Sequence, residues 1–450
     1  MLIADALKDI LKVAIIHNWK ITNSQVSWWE ICTRGLKQES LKDTILDAGE
    51  YLNDKKMLDT FLSNIENQMT ELSRKYKVEP SYLWAKSNIW NIFSEIEKNL
   101  EWKVDYIIWE VASIDSDNDR YKWVQLYDKS SDSFRYIISQ SLLIVAWGFA
   151  DLFSFNDYVS NQNCFSPLWV CMESWLTVQD LEFMMIHPFW KKSKNQHLNW
   201  TIQKTDNLAQ KKVEWLRNKN IDILQDYLDS HNAHNNFSNI LKIFRENEEV
   251  TVGWEMCTPL VHYTIWWLKV NEKFMTNLDG VFSYWESACW VSGAWRVWWI
   301  SLAEIISLSQ EVSENIKKYN SCLVPKDKLS KNKISNSYKI SIWDIEKQKH
   351  QISEILDYKV IYWGNTEMYT QALEKLQKIP DSSYKTLAIW VVKSMLNRKE
   401  SRGMFYRSDY PKKWILTYHT VIENISWLWK MSKKYENNFY RLQRKIFYIK

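Results

Sequence analysis

The chain has 450 residues, enough for two or three domains, and its net charge of +4 forms no basic stripe, which argues against nucleic-acid binding. No apolar run is long enough to span a bilayer, and the N-terminus lacks a secretory signal pattern. The six cysteines show no CxxC pair and no disulfide-like spacing. We therefore expect a reduced, cytoplasmic protein, with peripheral attachment at the inner face of a membrane as the alternative.

The balance of tryptophan and glycine is unusual. The chain has 28 tryptophans and 8 glycines, whereas average usage would give roughly 30 glycines. Many tryptophans occur in pairs or at turn-like positions, where glycine would permit positive φ and a close approach of the backbone. We hypothesise that a codon translated as glycine by the source organism, with UGA as the candidate, is rendered here as tryptophan. The alternative is a truly tryptophan-rich binding protein, which predicts tryptophans scattered among polar residues.

The N-terminal part predicts an α/β domain. Residues 2–12 have helical spacing and precede an apolar strand at 13–17, as in the first helix and second strand of a dinucleotide-binding βαβ unit. The preceding strand with its GxGxxG turn is missing, and no acidic residue follows the strand. Residues 39–72 predict a helix, and apolar runs between 103 and 149 predict strands.

The later part predicts mostly helices. Residues 310–337, rich in Lys, Ser and Asn, predict an exposed connection, and residues 347–400 have the amphipathic pattern of a helical bundle. His231 and His234 lie in an Asn-rich turn without a third ligand, so we predict no metal site.

Two stretches resemble the succinate dehydrogenase/fumarate reductase/L-aspartate oxidase flavoprotein family. With each Trp replaced by Gly, residues 261–304 contain HYTIGG, GVFSYGE and GVSGAGRVGGISLAE, and the family pattern is HYxxGGI, GLYAAGE and GxHGANRLGGNSLLE. Residues 397–412, NRKESRGMFYRSDYPK, contain no Trp and resemble the family's RxESRGAHYREDYP pattern. Shorter stretches at 21–31 and 145–190 resemble its flavin loop and its LATGG strand end.

This resemblance implies an α/β fold: a Rossmann-like FAD-binding domain with an inserted capping domain and a C-terminal helical domain. It also implies non-covalent FAD, because covalent members carry a histidine in the 21–31 loop and none is present here. The implied boundaries are an N-terminally incomplete FAD-binding domain at 1–189 and 254–309, a shortened cap at 190–253, the connection at 310–337 and the helical domain at 338–450.

The resemblance also implies which residues bind FAD. The carboxylate of Glu286 would accept hydrogen bonds from ribityl or ribose hydroxyls, and Ser301 and Leu302 would lie at a helix start below the flavin pyrimidine. The positive end of that helix would stabilise reduced, anionic flavin. The remaining positions carried over are Ser24, Ser27, Trp28, Trp29, Ala146, Trp147 and Gly148.

In the family, hydride passes between the C2–C3 bond of a four-carbon dicarboxylate and flavin N5. Arg296 would clamp one substrate carboxylate with two hydrogen bonds, and His262 would hold the other with help from His187. A surface ion pair for Arg296 and a core position for His187 are the structural alternatives. The sequence departs from the family pattern at three places. Leu168 stands where the family has the acid of its GDG motif, and Ile300 stands where it has an Asn before Ser-Leu. The RGEGG loop, which carries the proton-transferring arginine, is absent.

Two functions follow from these similarities and departures. The first is an FAD-dependent oxidoreductase acting on succinate or fumarate, or on L-aspartate, with an iron–sulfur protein as a partner. The spacing around Arg296 favours succinate or fumarate. The alternative is a degenerate, non-catalytic scaffold of the same family that lacks the catalytic arginine loop.

Overall fold

The computed structural model describes about three fifths of the chain, and at some of these positions only the main chain. Statements about structure below concern these residues. They are 1–17, 42–76, 94–145, 152, 167–191, 196–197, 250–252, 255–264, 267–288, 291–294, 298–322, 342–361, 364–425 and 428–435, without 44, 47, 48, 129, 358, 359 and 404.

The strands lie mainly in the first two thirds of the chain, with a hairpin near its end. Their bounds are β1 Val13–His17, β2 Val104–Ile108, β3 Glu110–Asp117, β4 Arg120–Asp128, β5 Ser133–Ile138, β6 Leu142–Ile144, β7 Val178–Gln179, β8 Met184–Lys191, β9 Gln196–His197, β10 Val250–Val252, β11 Glu255–Thr264, β12 Trp267–Leu268, β13 Val281–Ser283, β14 Tyr418–Ile425 and β15 Leu428–Tyr435.

Side-chain caps begin several of the helices. Asp54, Asn365 and Ser382 each accept a hydrogen bond from a backbone N–H in the following turn, which satisfies a donor that the helix itself leaves without a partner. The helices are α1 Leu2–Leu7, α2 Lys55–Lys75, α3 Pro167–Glu173, α4 Trp298–Ser321, α5 Ile342–Ile355, α6 Thr366–Gln377 and α7 Ser383–Asn397, with a 3₁₀ turn at Trp285–Ser287.

Two strand pairs are parallel, which agrees with the predicted α/β class. β1 pairs with β2, and β6 pairs with β13. Parallel neighbours require a crossover connection and are typical of α/β domains. The strand predicted at 13–17 is present with those bounds.

The remaining strands form antiparallel sheets. β3, β4 and β5 make a three-stranded meander, and a four-stranded sheet has the order β10-β11-β8-β9. A second four-stranded sheet, β12-β7-β14-β15, combines strands from the middle and the end of the chain. Of the predicted cap at 190–253, most residues lie outside the described part.

Helix α4 is longer than the sequence indicated. It continues to Ser321, although residues 310–337 were expected to form an exposed connection. Leu308, Val312 and Ile316 recur at four-residue spacing and are buried in one core with Phe61 of α2. Because the rest of the segment is polar, this narrow apolar stripe was not enough to predict a helix from the sequence.

The C-terminal region is helical through α7 but ends differently from the prediction. β14 and β15 form an antiparallel hairpin, and β14 also pairs with β7. The region expected to be a helical domain therefore also completes a sheet with the earlier part of the chain.

Three tryptophans have left-handed backbone conformations, with φ of 67° at Trp102, 62° at Trp175 and 62° at Trp285. Bulky L-residues rarely adopt this conformation. At the end of α3, the N–H of Leu176 donates to Cys171 O and that of Trp175 to Met172 O. This pattern normally has glycine at the position of Trp175. The conformations support the hypothesis that these positions are glycine in the native protein.

We expect Trp102→Gly to be more stable than Trp102→Ala by about 1 kcal/mol, because alanine retains a Cβ in the left-handed region. The side chain of Trp102 is 95% exposed, so both variants lose little packing. Urea unfolding midpoints measure the difference. The control is the same pair of substitutions at Trp123 within β4, where alanine should be the more stable. Equal stability of the two Trp102 variants would contradict the argument.

Candidate functional site

The two predicted substrate-binding histidines lie on neighbouring strands. β8 and β11 pair antiparallel, with Leu260 opposite His187 and Val261 opposite Ile186. The register shifts between Val261 and Tyr263, which makes His262 the extra residue of an irregularity. Such bulges are frequent next to active sites. The structure therefore brings together the main chains at His187 and His262.

The predicted flavin contact at Glu286 follows the carboxyl end of β13. The hydroxyl of Ser287 donates to Ile144 O at 2.9 Å, which joins this turn to the carboxyl end of β6. Ligands of α/β proteins bind outside the carboxyl ends of parallel strands. Glu286 thus occupies a suitable place on the backbone. The positions predicted directly after β6, Ala146, Trp147 and Gly148, lie outside the described residues.

Ser301 and Leu302 are the fourth and fifth residues of α4, in agreement with the predicted helix start. The N-terminal end of a helix favours negative charge. Arg296 comes two residues before this helix and lies outside the described residues. The same is true of the predicted flavin loop, Ser24, Ser27, Trp28 and Trp29.

The loop at 291–294, which leads toward α4, is held by the turn at 49–53. Asn53 Nδ2 donates to Val291 O at 2.6 Å, and the N–H of Ala294 donates to Gly49 O at 2.9 Å. Gly293 has φ 66°, and a Cβ there would lie 2.5 Å from Gly49 O. This close backbone approach requires glycine.

A buried ionic network next to this loop was not predicted. Arg398 contacts Asp180, Glu182 and Glu400, and all four side chains are fully buried. Arg402 donates to both oxygens of Glu400, at 2.9 and 2.7 Å. The sequence motif at 397–412 had indicated the family. The pairing of its Arg398 with Asp180 and Glu182 is a tertiary contact, which the motif does not reveal. The two acids directly before the apolar run at 183–186 were the available hint.

The pKa values of the two glutamates in this network are shifted in opposite directions. Burial raises the pKa of Glu182, the charge of Asp180 adds to this, and Arg398 opposes it. At Glu400, burial also favours the neutral acid, but hydrogen bonds from Arg402 and the charge of Arg398 outweigh burial and lower the pKa. Glu400 is therefore the ionised centre that both arginines share.

Arg407 and Asp409 join two helices of the C-terminal region. Arg407 donates to both carboxylate oxygens of Asp409, at 2.9 and 2.7 Å, and to the carbonyls of Met395 and Leu396 near the end of α7. Asp409 accepts from the N–H of Thr366 at the start of α6. Burial works against ionisation of Asp409, but the bonds from Arg407 and Thr366 lower its pKa to about 2.

Residues 346–436, which include the motif at 397–412, match the family model described as "Fumarate reductase flavoprotein C-term". This match supports the succinate dehydrogenase/fumarate reductase/L-aspartate oxidase flavoprotein family for the chain. Its fold is similar to that of a solved E. coli quinol fumarate reductase chain, with a TM-score of 0.71 and 12% identity, covering 97% of this chain and 94% of the other.

Curated relatives agree with this family. An L-aspartate oxidase from Pyrococcus horikoshii is 22% identical over 437 residues, which cover 87% of this chain and 88% of that protein. An L-aspartate oxidase from Pyrococcus furiosus is 32% identical over 162 residues, covering 34% of this chain and 31% of that protein. Both of these relatives are named for L-aspartate, whereas the solved E. coli chain is named for fumarate.

Two features are absent from the described residues. No helix among them is both long and apolar enough to cross a membrane. They contain no group of three or more His, Cys, Asp or Glu side chains that could hold a metal ion.

We expect Asp409→Asn to lower the free energy of unfolding by about 2 kcal/mol at pH 7, because Arg407 loses a charged partner. The lowered pKa of Asp409 means that its stabilisation is present above the unfolded value of about 3.9 and is lost as the pH falls toward the folded value. Urea unfolding at several pH values between 7 and 3 measures this.

The difference between wild type and Asp409→Asn should therefore shrink below about pH 4. Asp381→Asn is the control, because Asp381 is fully exposed in its pair with Lys385 and should leave stability nearly unchanged. A difference for Asp409→Asn that stays constant down to pH 3 would contradict the role assigned to its charge.

Proposed function

We propose that this chain is an FAD-dependent oxidoreductase that transfers hydride between a four-carbon dicarboxylate and flavin N5. Succinate or fumarate is the proposed substrate, with L-aspartate as the other member of the class. The observation that carries the proposal is the pairing of β8 with β11, which brings the main chains at His187 and His262 together. Both positions come from the family pattern for carboxylate binding, and they are far apart in sequence.

Two features of the described backbone support the proposal of FAD as cofactor. Two parallel strand pairs are present, and Glu286 follows the carboxyl end of β13, where nucleotide cofactors bind in α/β proteins. Bound FAD supplies a hydride acceptor or donor at N5. In our proposal FAD is non-covalent, Glu286 accepts from its ribityl or ribose hydroxyls, and the start of α4 stabilises negative charge on the reduced ring. The remaining contacts come from 24–29 and 146–148.

The proposed substrate site pairs each carboxylate with cations or donors, because burying two negative charges without partners is prohibitive. Arg296 clamps one carboxylate through two parallel hydrogen bonds, and His262 holds the other with help from His187. This arrangement orients the C2–C3 bond toward the flavin. It leaves the proton-transferring group unassigned, since the family's RGEGG arginine loop has no counterpart at 190–253.

The proposed architecture is that of the family: an FAD-binding domain at 1–189 and 254–309, a cap at 190–253 and a C-terminal domain at 338–450. We also propose a cytoplasmic location and an iron–sulfur protein as electron-transfer partner. The location rests on the cysteine pattern, and the partner rests on the family resemblance.

The flavin spectrum tests this function. We expect fumarate to reoxidise the dithionite-reduced, FAD-loaded protein, or succinate or L-aspartate to bleach the oxidised form. His262→Asn and Arg296→Lys should each lower kcat/KM by about 100-fold or more, since they remove carboxylate contacts that orient the substrate. His350→Asn is the control, because His350 is exposed and pairs with Glu354 on α5. No spectral change with any of the three compounds would indicate a non-catalytic scaffold.

We further propose that tryptophan positions at the flavin cleft are glycine in the native protein. The native tryptic peptide 274–296 spans Trp285, Trp290 and Trp295, and mass spectrometry should find glycine masses at all three. Glycine there would leave room for flavin and substrate and would suit the left-handed backbone at Trp285. Tryptophan masses would place three indoles next to the proposed site and would contradict both the recoding and an open cleft.

A further inference from the structure

Three chain segments distant in sequence meet backbone to backbone at 49–53, 291–294 and 400–403. The middle segment contacts both of the others. On one side, Gly49 O accepts the N–H of Ala294. On the other, Gly403 lies against the carbonyl of Ala294. The loop at 291–294 is therefore enclosed between a turn from the N-terminal part and the C-terminal motif.

Gly403 permits the contact on the C-terminal side. Its φ is 55°, and a Cβ there would lie 2.5 Å from Ala294 O and 3.0 Å from Ala294 C. Distances below 3.0 Å to backbone atoms are essentially never seen for a real Cβ. Any side chain at 403 must therefore displace the backbone at Ala294 or itself.

The buried ionic network determines where Gly403 lies. Arg402, the preceding residue, is 1% exposed and donates to Glu400, to Glu50 O at 3.0 Å and to Trp414 O at 2.8 Å. The same turn is held from outside, because Lys413 Nζ lies 2.6 and 2.8 Å from the carboxylate oxygens of Glu50. One guanidinium thus ties the 49–53 turn to the segment that ends at Gly403.

We propose that Gly403 is a positioning residue for the substrate site. By contacting Ala294, it fixes the backbone at a position two residues before Arg296 and four residues before the first residue of α4. This inference rests on the proposed function, in which Arg296 clamps a substrate carboxylate. A clamp that is displaced by about 1 Å binds substrate poorly even when the cofactor is retained. Gly403 thereby links the C-terminal region to substrate binding without touching substrate.

The test compares two glycine substitutions in the full-length, FAD-loaded protein. Gly403→Ala should raise the KM for the dicarboxylate by about 10-fold or more while FAD content stays unchanged. Gly280→Ala is the matched control, since Gly280 also has positive φ, at 87°, and a Cβ there would lie 2.8 Å from the hydroxyl of Tyr319. It places a Cβ on the same kind of left-handed backbone away from the 291–294 loop, where the nearest atom is a side-chain hydroxyl, so its KM should equal the wild-type value.

A second variant covers the case in which Gly403→Ala does not fold. Asn53→Ser removes the hydrogen bond to Val291 O from the opposite side of the loop, and it should also raise KM with FAD retained. Equal KM values in wild type, Gly280→Ala and the loop variants would overturn this inference alone. A wild-type protein whose flavin responds to no dicarboxylate would overturn the proposed function and this inference with it.

Discussion

Arg398, Glu400 and Arg402 are fully buried side chains of one short segment, and their burial constrains the rest of the molecule. A buried ion without a partner costs several kcal/mol, so each charge must meet an opposite charge or a backbone acceptor. The partners lie far away in sequence, at Asp180 and Glu182 before β8 and at the carbonyl of Glu50. The C-terminal region therefore folds correctly only against the earlier part of the chain.

This constraint reaches the proposed site through backbone contacts. β8, which includes His187, begins two residues after Glu182, and β14 pairs with β7 just before these acids. On the other side, Arg402 holds the turn whose Gly49 carbonyl anchors Ala294. The network thus lies between two elements that the proposed site requires: the histidine strands and the loop that leads toward Arg296.

Much of this could be predicted from the sequence. The strand at 13–17, the strands between 103 and 149 and the helices of the C-terminal region follow from periodicity, because each buries one face or stripe. The family followed from short motifs with intact spacing. The extent of α4 could not be predicted, since its last turns have a polar composition. The β14–β15 hairpin could not be predicted either, since β14 also pairs with β7, a strand more than two hundred residues away.

The sequence by itself determined the family, the identity of the proposed site residues and the anomaly of tryptophan at glycine-like positions. These are properties of residue type and local spacing. Only the tertiary structure decided that His187 and His262 share a strand pair, that Glu400 pairs with two arginines at once, and that Gly403 contacts Ala294. Those features arise from contacts between distant segments, and nothing in a single stretch of chain specifies which segment will be its neighbour.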